Sequence, residues 1–211
     1  MFIFGHTGIT IGAGMLIEAI TNRQRKKEGL QESESNPPTG LRWKGRMPYQ
    51  KDKPKIFPVG RWLDYRLLLI ASLLPDIIDK PLGQVFLKNT FSYGRIYGHT
   101  LVFILITGIL GMWVFKKRGN GWLLTMAFGS LMHDMEDQLW WWPQVLWWPL
   151  KGWIFPKEDL SSWLQGVFHA VITKPEAFIP ELVGIGILAL AAARVILNKR
   201  SQYALKTGHI N

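Results

Sequence analysis

The residues best suited to chemistry follow an apolar segment over residues 122–132. His133 and Asp137 are spaced four apart, so on a helix both side chains lie on one face and can reach one ion. Asp134 and Glu136 lie between them, on other faces of that helix. One His and three carboxylates beside so apolar a segment are costly to bury unless something pairs with them. The pattern therefore predicts a metal site at a membrane surface.

The acids of this motif have different candidate roles. Asp137 is a candidate metal ligand, and Asp134 and Asp137 are the candidate catalytic carboxylates. Asp134 would serve as a general base or as a clamp on the substrate. Glu136, like Asp134, would otherwise orient a ligand or be solvated.

A second pair of acids occurs in the stretch Ser-Leu-Leu-Pro-Asp-Ile-Ile-Asp, where Asp76 and Asp79 follow Pro75 with a spacing of three. The proline kinks or ends a helix at this point. Either carboxylate would be a metal ligand, and the spacing does not decide between them. The alternative is an ordinary helix end at the membrane boundary, with both acids solvated and Lys80 beside them.

Two further histidines complete the candidate set. His99 opens an apolar helix in Gly-His-Thr, where Thr100 could orient the imidazole, and His6 lies near the start of the chain. Each could instead be a structural or exposed histidine. The candidate metal ligands are His6, Asp76, Asp79, His99, His133 and Asp137. Further acids and a histidine near the last apolar segment are weaker candidates: His169, Glu176 and Glu181.

The chain contains no cysteine, so a metal ion would be held by histidine, carboxylate and backbone oxygen. Such ligands suit zinc best, with manganese or magnesium as alternatives, and exclude an iron–sulfur cluster.

The composition indicates a membrane protein of unusual basicity. Hydrophobic residues make up 48% of the 211 residues and there are 11 tryptophans, yet the formal net charge is +10. Apolar runs over residues 101–115 and 178–197 are atypical of a soluble nucleic-acid-binding protein, and the second has the length of a membrane span. The positive charge is therefore expected to face anionic lipid, with no stable nucleic-acid partner.

We predict an all-α, polytopic membrane protein forming a single domain over residues 1–211. Five helical segments are expected to pack around a site at one membrane face, and they are Phe2–Ile20, Leu67–Ile78, Leu101–Phe115, Gly121–Met135 and Phe178–Leu197. The first is not expected to be a cleaved signal, because its positive charges follow the apolar stretch.

Two segments between these helices have distinct compositions. Residues 21–66 contain five prolines among many charges and are predicted to form a basic, mostly irregular loop. Residues 139–176 form a tryptophan-rich segment that is predicted to anchor at the membrane interface. A cation–π pocket for a choline-type headgroup is an alternative role for these tryptophans.

The distribution of Lys and Arg predicts the topology. Residues 21–66, 116–120 and 198–211 hold 18 of the 25 basic residues, whereas residues 79–98 and 139–176 hold six. The positive-inside rule then places the long loop and the C-terminus in the cytoplasm and the N-terminus outside, in the cell membrane. All six candidate ligands come to the outer ends of their helices in this arrangement.

The order of these motifs resembles that of a known family. Gly-His, Ser-Leu-Leu-Pro-Asp-x-x-Asp, Gly-His-Thr and Gly-x-x-x-His-x-x-x-Asp, followed by Trp-Pro, run from His6 to Pro149 and resemble the YdjM family of membrane-bound metal-dependent hydrolases. The family is similar to zinc-dependent phospholipase C and the S1/P1 nucleases, whose helical domains bind up to three zinc ions.

By that resemblance, one ion would be held by Asp76 or Asp79 together with His99, His133 and Asp137. His6, with Asp137 as a bridge, would hold a second ion. The relatives have a later His and carboxylate pair, whereas here His169 is followed by Thr173, so a three-ion site is not expected.

These features predict an integral membrane metal-dependent hydrolase that cleaves a phosphoester, of a lipid, at the outer membrane face. Basic residues on that side would hold the headgroup phosphate, and the candidates are Lys80, Lys88 and Arg95. One alternative is a transporter or channel with an intramembrane His and Asp relay. Another is a non-enzymatic scaffold stapled by a metal ion.

Overall fold

The computed structural model describes residues 3–35, 62–157, 169 and 173–197. Throughout these ranges the regular elements are helical, which confirms the all-α class. The helices are α1 (Ile3–Ser35), α2 (Tyr65–Ala71), α3 (Leu74–Lys80), α4 (Leu101–Arg118), α5 (Trp122–Glu136), α6 (Pro143–Leu146) and α7 (Pro175–Leu197). A π-helical turn over Pro81–Phe86 extends α3, and a 3-10 turn over Leu139–Trp141 follows α5.

Two of the described helices are long and apolar enough to cross a membrane. These are α1 over Ile3–Gln24, with 22 residues, and α7, with 23. Most apolar side chains of α7 face away from the protein; Leu190, for example, is 73% exposed. The fourth predicted segment corresponds to α5, with 15 residues, and the third to α4, whose 18 residues end in three basic side chains. Five membrane spans therefore stay a prediction.

The first helix is longer than expected. It continues from the apolar stretch to Ser35, so residues 21–35 of the predicted irregular loop are helical. This stretch is rich in Arg, Lys, Gln and Glu, which favour helix, and the first proline comes only at Pro37. The rest of that loop lies outside the described residues.

The second predicted segment is divided in two by Pro75. Proline lacks an amide hydrogen and its ring crowds the preceding turn, so α2 ends at Ala71 and α3 begins at Leu74. This confirms the predicted kink. Because the helix is interrupted here, the carbonyl of Ser72 is available to a side chain of another helix.

The described helices pack around α1 and α5. A core joins Ile11 of α1, Leu68 of α2 and Ala191 of α7, with Phe128 of α5 packed against it. On the other side of the structure, the loop before α4 packs on the tryptophan-rich segment through a second set of buried side chains, Tyr93, Ile96, Val145 and Phe155. The start of α1, the ends of α3 and α5, and the start of α4 thereby meet.

Helix α7 fixes the start of α1. The two helices cross at Gly8 and Gly184 with so little separation that a Cβ on Gly184 would lie 2.0 Å from the carbonyl oxygen of Phe4. Glu181 of α7 accepts hydrogen bonds from the amides of Phe4 and Gly5, both at 3.0 Å. These amides have no partner within their own helix, so Glu181 caps α1. The crossing positions His6, which is the next residue.

A methyl group at Gly184 should therefore disturb the site. We expect Gly184→Ala to lower the free energy of unfolding by about 1–3 kcal/mol through overpacking, and to weaken metal binding by displacing His6. Gly186→Ala is the matched control, because the space around Gly186 is open and alanine favours helix. Thermal unfolding in detergent and metal titration of both variants measure the effect. Equal behaviour of the two variants would contradict the close crossing.

Candidate metal centre

Three buried imidazoles lie together where these helix ends meet. His6 of α1 is 1% exposed, and His99, just before α4, and His133 of α5 are fully buried. The ring centroids of His6 and His133 are 4.1 Å apart, and those of His99 and His133 are 5.2 Å apart. The structure therefore brings together histidines that are far apart in the sequence.

Each imidazole is oriented by a hydrogen bond at Nδ1. The partners are Glu136 Oε2 for His6 (2.8 Å), Asp79 Oδ2 for His99 (2.7 Å) and the carbonyl oxygen of Ser72 for His133 (2.7 Å). A carbonyl only accepts, so Nδ1 of His133 carries the hydrogen, and the carboxylates favour the same tautomer in the other two rings. In all three rings Nε2 has no hydrogen-bond partner among the described residues.

Two carboxylates lie beside the Nε2 atoms. Asp76 Oδ1 is 3.5 Å from Nε2 of His99 and 3.9 Å from Nε2 of His133. Asp137 Oδ1 is 3.3 Å from Nε2 of His6. Among the described residues, two donor sets have all ligand atoms within 4.8 Å of one another, namely His6, His133 and Asp137, and Asp76, His99 and His133.

The donor sets fit a divalent metal ion. Imidazole nitrogen with carboxylate oxygen is a zinc ligand set, and metal-binding histidines usually give their other ring nitrogen to a carboxylate or carbonyl, as all three do here. The sets contain five of the six predicted ligands: His6, Asp76, His99, His133 and Asp137. The i,i+4 spacing of His133 and Asp137 places both in one set.

Asp79, the sixth predicted ligand, lies behind His99. Its carboxylate accepts hydrogen bonds from the amides of Ile96 (2.7 Å), Gly98 (2.8 Å) and His99 (3.2 Å), besides the bond from the His99 ring. With four bonds, Asp79 organises the loop and orients the imidazole, and the geometry favours Asp76 as the ligand. The expected orienting role of Thr100 is wrong, because its side chain accepts from the Phe103 amide and caps α4.

Glu136 has a more definite role than the sequence indicated. Its two oxygens bond His6 Nδ1 and the hydroxyl of Thr10, at 2.8 and 3.1 Å. Thr10 lies four residues after His6 on the same face of α1, so the spacing of these two polar residues in an apolar helix was a usable signal. Nothing in the sequence connected Glu136 with α1.

Asp134 is buried at the site without a bonded partner. Its side chain is 3% exposed, and neither carboxylate oxygen has a hydrogen-bond partner among the described residues. An unpaired buried acid is costly, and such groups occur where chemistry needs them. The role of Asp134 in catalysis stays a prediction.

The electrostatics of the centre depend on Arg95. Its Nε and a terminal nitrogen both donate to Asp137 Oδ2, at 3.1 and 2.9 Å. Although burial alone would raise the pKa of Asp137, the adjacent imidazole of His6 and the charge of Arg95 hold that pKa well below its usual range. Burial alone would lower the pKa of His99, but the nearby carboxylate of Asp76 and the hydrogen bond to Asp79 raise it to about 9. The surroundings therefore keep Asp137 ionised, which is the form that binds a metal ion.

The three predicted phosphate-binding residues lie in different places. Arg95 adjoins the centre and its side chain is 32% exposed. Lys80 pairs with Asp76 at 2.5 Å, and Lys88 is exposed on the turn after the π-helical segment. Arg95 is therefore the candidate with direct access to a group bound at the centre.

The weaker candidates near the last helix lie outside the donor sets. Glu181 caps α1, as described above, and Glu176 is exposed in the first turn of α7. His169 is exposed, and its ring lies 3.2 Å from the hydroxyl of Thr173. Glu181 and His169 are thus engaged in structural contacts outside the donor sets.

The tryptophan-rich segment presents a large aromatic surface. Five of the six described tryptophans of residues 139–176 are exposed: Trp140, Trp141, Trp142, Trp147 and Trp153. Trp148 instead packs with Tyr97 and Phe155. Residues 158–168 and 170–172 of this segment lie outside the described part of the chain.

The fold and the centre define an all-helical protein with two apolar helices of membrane-spanning length and a buried histidine and carboxylate cluster that fits a metal ion. The family model described as YdjM inner membrane protein matches residues 1–203, so the chain belongs to the YdjM family and is a membrane protein. No curated protein and no solved structure matches the chain significantly. The resemblance seen in the sequence motifs is thereby confirmed, and the similarity to phospholipase C and the nucleases stays a prediction.

Proposed function

We propose that this protein is an integral membrane metal-dependent hydrolase that cleaves a phosphoester, of a lipid, at the outer face of the membrane. The observation that carries the proposal is the set of three buried imidazoles, each oriented at Nδ1 and each with Nε2 beside a carboxylate. This arrangement costs stability unless an ion is bound.

The residues of the centre have complementary roles in hydrolysis. A divalent ion, zinc first and manganese or magnesium as alternatives, would supply a Lewis acid for the phosphoryl oxygens and activate water. Arg95 has donors beyond those engaged with Asp137 and can bind a phosphate oxygen. Asp134 can accept the proton of the attacking water. Glu136 and Asp79 keep His6 and His99 in the required orientation.

The geometry favours hydrolysis over the two alternatives. Asp76, His99 and His133 supply three protein ligands to one ion, which leaves a position open, as in catalytic zinc sites, whereas structural zinc sites usually have four protein ligands. The clustered groups lie where helix ends meet, whereas a relay for transport would be spread through the membrane depth. Glu18, a buried acid of α1 outside the donor sets, accepts a hydrogen bond from the hydroxyl of Tyr65 at 2.8 Å.

A lipid is the favoured substrate because of the surface beside the centre. The exposed tryptophans suit the interface between headgroups and acyl chains, where a lipid arrives by lateral diffusion. A long nucleic acid would have to descend to the membrane past this aromatic surface. We therefore expect membrane lipid as the partner and no stable complex with nucleic acid.

Purified protein supplied with zinc or manganese tests the proposal. We expect release of a phosphorylated headgroup or of inorganic phosphate from lipid vesicles, at a rate above that of single-stranded DNA cleavage. The opposite order of rates would make the protein a membrane-tethered nuclease. Metal binding with no turnover of either substrate would favour the scaffold.

The raised pKa of His99 predicts how metal binding depends on pH. An ion must displace the proton of His99, so below about pH 9 the apparent affinity should fall about tenfold for each unit of decrease in pH. Zinc titrations from pH 6.5 to 8.5 measure the slope, and the protons released on binding give an independent count. A slope of zero would show that His99 is not a ligand.

The proposed topology places the N-terminus, residues 79–98 and residues 139–176 outside, and residues 21–66 and the C-terminus in the cytoplasm. Because the chain has no cysteine, single cysteines at Ser33 and Ser161 can be labelled in intact cells with an impermeant reagent. We expect labelling at Ser161 and protection at Ser33. The reverse pattern would invert the topology and move the site to the cytoplasmic face.

A further inference from the structure

The three imidazoles of the centre are not equivalent, because their planes differ in relative orientation. The rings of His99 and His133 are inclined by 67°, whereas those of His6 and His133 are stacked with 25° between their planes. The lone pair of Nε2 lies in the plane of its ring. The planes of two inclined rings intersect close to the rings, so their Nε2 lone pairs can point at one ion. The planes of two stacked rings are nearly parallel, so their lone pairs do not meet at one ion. His133 is therefore suited to share an ion with His99 and poorly suited to share one with His6.

His133 belongs to both donor sets but can serve one ion only. Its Nδ1 donates to the Ser72 carbonyl, which leaves a single lone pair, on Nε2. That atom lies 3.9 Å from Asp76 Oδ1, which in turn is 3.5 Å from Nε2 of His99. Asp76, His99 and His133 thus form a complete three-ligand position. Assigning His133 to it leaves His6 and Asp137 as a pair.

This remaining pair is an incomplete position with an anion-binding group beside it. His6 Nε2 and Asp137 Oδ1 are 3.3 Å apart, a suitable separation for two ligands of one ion. The other oxygen of Asp137 is engaged by Arg95, which reduces the negative charge available to a cation. A phosphate group could supply the missing oxygen ligands and, at the same time, bind the partly exposed guanidinium.

We propose that the centre takes up two ions by different rules: the first on Asp76, His99 and His133 alone, and the second on His6 and Asp137 only together with a phosphate oxyanion held by Arg95. The ligand is a phosphate group, either inorganic phosphate or that of a lipid headgroup, since both offer the same oxygens. The inference rests on the proposed metal-dependent function and extends it, because the substrate itself completes the second position.

Zinc titration of the detergent-purified protein against a chromophoric chelator tests the proposal without measuring turnover. We expect one zinc per chain in phosphate-free buffer and two in the presence of inorganic phosphate. A parallel arm in phosphate-free buffer uses nanodiscs of phosphatidylglycerol and, as the comparison, of an uncharged glycolipid. A second ion with inorganic phosphate but not with phosphatidylglycerol would identify the ligand as the free anion.

Variants assign each ion to its residues. His6→Ala and Asp137→Asn should bind one zinc with and without phosphate, and Arg95→Met should lose the phosphate effect. His169→Ala, a histidine outside the centre, should behave like the wild type. X-ray absorption of the singly loaded wild type should show two imidazoles on the zinc, a result that does not depend on any variant folding.

The outcomes separate this inference from the function on which it rests. Two zinc ions of similar affinity without phosphate, or one zinc under all conditions, would overturn the inference and leave the metal-dependent function standing. Three imidazoles on the first zinc would also overturn it, because His6 would then share that ion. No zinc under any condition would overturn both proposals.

Discussion

Replacing His99 with alanine should abolish high-affinity metal binding. His99 is fully buried, its ring is fixed by Asp79 at 2.7 Å, and its Nε2 lies 3.5 Å from the Asp76 carboxylate. Loss of a group that merely orients a ligand commonly costs 10- to 100-fold in metal affinity, so loss of the ligand itself should cost more than about 100-fold. Isothermal titration with zinc measures the change directly.

The matched control for this variant is His169→Ala. His169 is exposed, and its ring contacts Thr173 rather than any residue of the centre. We expect its zinc affinity to equal that of the wild type. Thermal unfolding of both variants without metal distinguishes loss of a ligand from loss of the fold. If the two variants bound zinc equally, the cluster would not be a metal centre.

Replacing Asp134 with asparagine should remove hydrolysis while leaving the first ion in place. Asp134 is outside both donor sets, yet it is buried at the centre with no hydrogen bond to its carboxylate from any described residue. Asparagine has nearly the same shape but cannot accept a proton from water, so the turnover rate should fall by about 10²- to 10⁴-fold. The measurement is headgroup release from vesicles by zinc-loaded protein.

Asp64→Asn controls for the loss of a carboxylate. Asp64 caps α2 and pairs with Arg66, and asparagine is also a good capping residue. We expect wild-type turnover from this variant. Loss of zinc from Asp134→Asn would instead make Asp134 a ligand, and full activity would make it a structural acid.

The sequence predicted the helices well where apolar length decides the outcome. The segment predicted over Phe178–Leu197 corresponds to α7, and that over Gly121–Met135 to α5, with ends displaced by at most three residues. The sequence also predicted that Pro75 interrupts its segment. The sequence was less informative for residues 21–35, which are polar and helical. Their high charge, together with the prolines that begin at Pro37, is typical of an irregular loop.

The candidate ligands could be listed from the sequence, but their partners could not. Asp76 and Asp79 are chemically identical, and their roles differ only because the amides of Ile96, Gly98 and His99 converge on Asp79. That convergence is a property of a loop without regular structure. In the same way, Glu136 of α5 bonds His6 of α1, and no spacing in the sequence predicts a contact between these two helices.

The cap on the first helix has a consequence for the biogenesis of the protein. Glu181 follows Phe4 by 177 residues, so α1 is fixed by a helix that is synthesised much later. His6 can reach its final position only after α7 has joined α1, because the Gly8 and Gly184 crossing sets the depth of both. A nascent chain thus lacks the complete centre until α7 has been made. We therefore expect the centre to form late in biogenesis, once α7 has packed on α1.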